Sequence, residues 1–354
     1  MQRSYRSTHY SASPPLTRPQ RIPLERKAET MKNPIPALLV MFALATPLTS
    51  IAQLPKPNEL PTNLPGTTTV VAPPQDFDPL TASDEDLAYH GFPPRPDEAA
   101  SPQAFASWSK AMSASKTRIT PKLEQTSISH GLSKANANVT PPPVGSNGAL
   151  SSSILAGYLN PNGASTYGSN SFYYVLSDLY VPAASQGPGV CTGGWVDGFS
   201  WIGIDGYATV DLLQAGIEYD AYCKGLASGA AYALWYQWFP GYEVLVTNLP
   251  VAPGDPYFIE LWHTSPTQAY VYFVNENTLQ AAEVGFTAPA GTALTGRSAE
   301  WIVESRTVTD VFWNAYAATL SGGGFDPSSA TTDSIYIPGV AGPTLLGPST
   351  FVAH

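Results

Sequence analysis

The 354-residue chain carries 17 Lys and Arg against 27 Asp and Glu, with 35 Pro and only 2 Cys, which excludes a basic nucleic-acid-binding stripe and a CxxC metal site. The imbalance lies after residue 150: residues 151–354 hold three bases, Lys224, Arg297 and Arg306, against 16 acids, a net charge of about −13. So few cations leave little self-repulsion once the carboxylates protonate, which suits an acidic habitat as well as it serves solubility.

Residues 1–30 are basic and rich in Ser and Pro, and Met31-Lys32-Asn33-Pro34 offers a second start, so 1–30 reads as a mis-assigned start or an extended n-region. Ile35 to Leu48 is an apolar run broken by Pro36 and Pro47, and Ser50-Ile51-Ala52 supplies small residues of the kind a signal peptidase reads. Residues 31–52 therefore read as a secretory signal peptide, too short and Pro-broken for a membrane span. The mature chain is expected outside the cell or in the periplasm, off the membrane and without nucleic-acid partners.

Residues 53–150 are Pro-rich, with an acidic stretch at Asp84-Glu85-Asp86. Between Ser101 and Lys134 the bases Lys110, Lys116, Arg118, Lys122 and Lys134 face only Glu124. Such a composition fits a disordered spacer or a propeptide. The propeptide reading lays Lys110, Lys116, Arg118 and Lys122 across an acidic groove at neutral pH and frees them on acidification, with a cut before about residue 165.

From about residue 165 the pattern becomes short alternating runs. Strands are predicted at 171–182, 199–205, 209–220, 231–239, 243–248, 257–264, 268–275, 300–306 and 309–319, separated by turn residues such as Asp205-Gly206, Pro240-Gly241 and Pro253-Gly254-Asp255. This makes 151–354 one all-β domain, a sandwich or barrel. Cys191 and Cys223 would pair in an oxidising compartment or stand as two buried thiols.

Period-2 alternation sorts the side chains by face. Leu213, Ala215, Ile217 and Tyr219 share one face and Gln214, Gly216 and Glu218 the other. Trp301 and Val303 oppose Glu300 and Glu304; Ile202 and Ile204 oppose Trp201 and Asp205; Trp235 falls with Gln237. Four strands thus carry an apolar face and a face mixing carboxylate, amide and Trp, as in a groove for an extended peptide or sugar chain. Other arrangements fail on inventory. A Ser-His-Asp triad would rest on His263 alone, and there is no HExxH, no Gly-rich phosphate loop and no Asp-Thr-Gly or Asp-Ser-Gly element.

At these residues the sequence resembles the glutamic peptidases, or eqolisins. The resemblance rests on Trp201-Ile202-Gly203-Ile204-Asp205-Gly206, Leu213-Gln214-Ala215-Gly216, Trp235-Tyr236-Gln237-Trp238-Phe239-Pro240, Ala299-Glu300-Trp301-Ile302-Val303-Glu304 and Asn314-Ala315. It implies a sandwich of two antiparallel sheets of the concanavalin A-like or jelly-roll type. It also implies secretion as a preproprotein and metal-independent, pepstatin-insensitive endopeptidase activity at acidic pH, without a cofactor and as a monomer acting on proteins or peptides. The family's catalytic Gln and Glu fall on Gln214 and Glu300. Trp201, Asp205, Glu218, Trp235, Gln237 and Glu304 fall where substrate is held. Gln237 stands where the family often has an acid, and Ser169-Asn170-Ser171-Phe172-Tyr173 lacks a Trp common there. Two alternatives are a glycoside hydrolase using Glu300 and Glu304 at i, i+4, and a non-catalytic binding module on the same sandwich.

Overall fold

A computed structural model describes residues 58–129, 149–152, 154–187, 189–304, 310–337 and 342–353. The leader expected at 31–52, residues 1–30 and Lys134 lie outside the described residues. The chain opens with β1 (Glu59–Pro61), β2 (Thr67–Val70), the helices α1 (Asp84–Tyr89) and α2 (Pro102–Ala114), β3 (Thr117–Arg118) and β4 (Leu123–Gln125). There follow β5 (Ala149–Ser151), β6 (Leu155–Asn160), β7 (Phe172–Tyr180), β8 (Trp195–Val196), β9 (Phe199–Asp205), β10 (Leu212–Lys224), β11 (Ala227–Phe239) and β12 (Val244–Val246). The rest are β13 (Pro256–Ser265), β14 (Gln268–Asn275), β15 (Gln280–Thr287), β16 (Ala299–Glu304), β17 (Asp310–Thr319), β18 (Gly324–Phe325), β19 (Asp333–Tyr336), β20 (Thr344–Gly347) and β21 (Thr350–Ala353).

Two sheets form the sandwich. The front sheet runs β4-β12-β11-β10-β9-β16-β6-β19-β5, with β8 on β10. The back sheet runs β1-β2-β15-β14-β13-β7-β17-β21-β20, with β3 and β18 joined at β15 and β17. The ladders are antiparallel except at the short pairs β3/β15 and β5/β19. The apolar faces read from alternation meet between the sheets. Ile202, Ile204, Leu213, Ala215, Ile217, Trp301 and Val303 from the front pack with Val175, Leu179, Ile259, Leu261, Val271 and Phe273 from the back. Each large side chain buried there stabilises the fold by roughly 1.5–3 kcal/mol. Cys191 and Cys223 form a disulfide, settling the open pairing.

The two helices before residue 130 make a third layer behind the back sheet. Ser101 caps α2 through Oγ, which accepts from the Ala104 amide, and Pro102 sits in the first turn, where its missing N–H costs nothing. Ala104, Trp108, Ala111 and Met112 then face Tyr174, Phe258, Trp262, Tyr270 and Tyr272 of the back sheet. Residues 58–129 also lengthen both sheets, through β2 beside β15 and β4 beside β12.

Two of the four bases expected to lie across the polar groove are engaged elsewhere. Lys110 pairs with Glu276, and Arg118 lies over the Phe92 ring, 4.3 Å from its centroid, while donating to Tyr272 Oη at 3.0 Å. Lys116 and Lys122 are exposed. Apolar area decides this: an exposed ion pair contributes about 0–1 kcal/mol, less than one buried Trp or Met of α2.

Candidate active site

The front sheet aligns the site in rows across its strands. Gly203 of β9 pairs with both Gln214 of β10 and Glu300 of β16, and Gln214 pairs with Gln237 of β11. Glu300, Gly203, Gln214 and Gln237 therefore form one row on one face. Neighbouring strands lie about 4.8 Å apart, so the backbones of Glu300 and Gln214 are separated by about 10 Å with Gly203 between them. Gly203 has little room for a side chain of its own: a Cβ there would come within 3.0 Å of the Trp201 ring and 3.1 Å of Leu212 Cδ1. One step along the strands lies a second row, Ile302, Trp201, Gly216 and Trp235. Gly216 is obligatory, because a Cβ would stand 2.1 Å from the Ser200 carbonyl oxygen. A third row holds Glu304, Phe199 and Glu218. Phe199 packs edge-on against Trp235 with centroids 5.7 Å apart.

The register thus brings the residues expected from alternation onto one face. Gln214, Gln237, Glu300, Trp201 and Trp235 are buried, and Glu304 at the end of β16 is half-buried. Gln214 Nε2 donates to Gln237 Oε1 at 2.9 Å. Gln237 Nε2 donates in turn to the Gly241 carbonyl at 2.6 Å and to Ser129 Oγ at 3.0 Å. Ser298 Oγ donates to Glu300 Oε1 at 3.0 Å. Burial pushes the Glu300 pKa well above the usual carboxylate range; the Ser298 and Tyr207 hydrogen bonds oppose the rise and the nearby Asp205 charge adds to it. Glu218 is also raised, first by burial and then by the Glu243 and Asp220 carboxylates.

Asp205 is placed differently from the substrate contact expected of it. Its backbone turns to φ 67°, and its carboxylate accepts from Thr295 N at 2.7 Å, Thr295 Oγ1 at 3.0 Å, Gly296 N at 3.2 Å and Arg297 N at 2.6 Å. Four donors on two oxygens fix the loop that delivers Ser298 to Glu300. His263 is buried and shares a 2.8 Å hydrogen bond between Nε2 and the Phe172 carbonyl, an internal structural contact. Ser298, Gly203 and Ser129 escaped sequence reasoning as site residues. Ser298 lies two positions before Glu300, so its alternation was readable; Ser129 sits in a stretch without strand periodicity. Among the described residues, no group of three or more His, Cys, Asp or Glu is arranged to hold a metal ion.

Comparison with known proteins places the chain among relatives. The family model described as the peptidase A4 family matches residues 159–339. Aspergillopepsin-2 of Aspergillus niger is 30% identical over 148 residues, 38% of this chain and 51% of that protein. Scytalidopepsin B of Scytalidium lignicola is 30% identical over 146 residues, 41% of this chain and 51% of that protein. The chain thus spans about half the length of these curated relatives. A solved structure of scytalido-glutamic peptidase with a transition state analog inhibitor is similar at TM-score 0.46 and 21% identity, covering 57% of this chain and 98% of that one.

Proposed function

The chain belongs to the peptidase A4 family, the glutamic peptidases, and on that premise we propose that it is an acid endopeptidase with Glu300 and Gln214 as its catalytic pair. The observation that carries this reading is the row that sets Glu300 and Gln214 on one face of the sheet with only Gly203 between them. Ionised Glu300 takes a proton from a water that attacks the scissile carbonyl. The Gln214 amide donates to the oxygen as it gains charge, and Glu300 returns the proton to the leaving nitrogen. Burial supports Glu300 as the base, because a raised pKa makes its carboxylate more basic than an exposed glutamate. Access of water with the substrate removes part of the burial cost and lowers that pKa toward the acidic range. Trp201 and Trp235 of the adjoining row are buried beside this pair and support the sheet there, and Glu218 and Glu304 lie one row further.

Gln214 supplies the oxyanion donor and Glu300 the base, so the scheme uses no metal or other cofactor. Proteolysis of casein at acidic pH by the purified monomer is expected to survive chelators and pepstatin. Loss of activity to a chelator would overturn that part of the scheme. The Cys191–Cys223 disulfide supports export, since such bonds persist in oxidising compartments. The assignment of 31–52 as the leader and 151–354 as the peptidase domain, with 53–150 before it as a propeptide or spacer whose residues 58–129 pack onto that domain, is part of the same proposal. The glycosidase alternative finds no support in the family match.

Ser298→Ala tests the base directly. The Ser298 hydrogen bond favours ionised Glu300, so its loss raises the Glu300 pKa further. The acidic limb of kcat/KM against pH is expected to move to higher pH. A limb that stays in place would remove Glu300 from the role of base.

A further inference from the structure

We propose that Gln237 is a positioning residue for the peptidase reaction, holding the Gln214 amide in the single orientation that turns its nitrogen toward β11; this rests on the reading of Gln214 as the oxyanion donor. A side-chain amide donates only from nitrogen and accepts only at oxygen, so its neighbours decide which way it faces. Gln237 Nε2 uses its hydrogens on the Gly241 carbonyl at 2.6 Å and Ser129 Oγ at 3.0 Å. The Gly241 oxygen can only accept. Flipping Gln237 would set two acceptor oxygens against each other at that distance. The Ser129 hydroxyl cannot favour the flip, because it already donates to the same Gly241 oxygen at 3.2 Å.

Gly241 is itself held. Its amide donates to the Trp238 carbonyl at 2.8 Å, and a Cβ on it would stand 2.9 Å from that oxygen. The Gly241 carbonyl therefore polarises the series: Gln237 presents Oε1 to Gln214, and Gln214 answers with Nε2 at 2.9 Å. A backbone carbonyl, which does not titrate, thus sets the direction of the catalytic amide. A glutamate at 237 reproduces the pattern only when protonated, its O–H donating to Gly241 and its C=O accepting from Gln214. Once ionised, it sets a charged oxygen against the Gly241 carbonyl. The carboxyls around the site include Asp205, Asp211, Glu218, Glu243, Glu300 and Glu304; all are present in parent and variant, so the parent serves as the control.

The test uses the full chain labelled with ¹⁵N at glutamine, the Gln214 side-chain resonance being assigned by its loss in Gln214→Ala. In Gln237→Glu that resonance is expected to follow one titration absent from the parent, and kcat to fall about 10–100-fold as the added group ionises, with a smaller change in KM. Gln237→Leu is expected to lower kcat at every pH, with folding checked by circular dichroism. A Gln214 resonance in Gln237→Glu that follows the parent at all pH values, or parental kcat in Gln237→Leu, overturns the proposal. If the resonance behaves as expected but the parent shows no proteolysis that Glu300→Gln abolishes, the orientation stands and the catalytic role falls with the peptidase reading, which separates the two failures.

Discussion

Glu300→Gln is expected to lower proteolysis by about 10²–10⁴-fold, the contribution of a positioned acid–base group, and to make the protein more stable than the parent at neutral pH. The amide fills the same space and still accepts from Ser298 Oγ, but it cannot take a proton from water. Its stabilising effect follows from burial: Glu300 is fully buried with a raised pKa, so keeping it ionised costs folding free energy that a neutral amide does not. Gln214→Ala should lose about 10²–10³-fold, the cost of one oxyanion donor, without any gain in stability, since the lost group is neutral and had hydrogen-bonded Gln237. Rates of casein cleavage and thermal melts on the same samples check both. Near-parental turnover by Glu300→Gln would falsify the general-base role, and a folded profile by circular dichroism excludes loss of structure as the cause.

Stability should be highest in acid and fall steeply between about pH 4 and 7. Burial holds Asp178 and Asp211 up to about 6, and Glu283 and Asp310 up to about 7. Burial pushes Glu260 well above the carboxylate range. In each case the folded state keeps a proton that the unfolded chain gives up near pH 4. More protons bound to the folded state means that stability decreases as pH rises through this window. For fully buried Glu283 and Asp310 the loss above pH 7 is about 3–4 kcal/mol each, large against a typical total of 5–15 kcal/mol. His263 works in the opposite sense: its lowered pKa costs stability in acid, but it is one group against several carboxyls. Glu260 isolates the effect, because neither of its buried oxygens has a hydrogen-bond partner. Glu260→Met should raise Tm at pH 8 and change it little at pH 4. A Tm that climbs from pH 4 to pH 8, or a Glu260→Met that melts with the parent at pH 8, would sink this account.

Alternation read the front sheet well because its two faces meet different surroundings. Leu213, Ala215 and Ile217 enter the core while Gln214, Gly216 and Glu218 face away from it, and the observed β9 spans the predicted 199–205. β6 was missed for the complementary reason. Leu155, Ala156, Tyr158 and Leu159 are buried on both faces, so nothing alternates. β15 was missed because Gln280-Ala281-Ala282-Glu283 has weak strand propensity, and because Glu283 is buried beneath β2, where it accepts from Val70 N at 2.8 Å. α2 had a readable start in Ser101-Pro102, overlooked within a Pro-rich stretch. At the site, the residue types were legible but the hydrogen bonds were not. Nothing in the local sequence links Asp205 to a loop 90 residues later, or Ser129 to Gln237.

The layer behind the back sheet bears on how this protein should be made in a heterologous host. A clone restricted to the family-matched residues 159–339 would drop α2 and β1–β4 and cut into β6. Tyr174, Phe258, Trp262 and Tyr272 would lose their cover, and such an apolar patch promotes aggregation. Glu283 would lose its Thr69 and Val70 donors, and Gln237 its contact with Ser129. At the other end, Phe351, stacked on Phe312 with centroids 4.8 Å apart, would vanish from the core. The unit of sequence similarity is therefore smaller than the unit of folding. Soluble product is expected only from clones that begin no later than Asn58 and run through Ala353, whereas the trimmed gene should yield inclusion bodies.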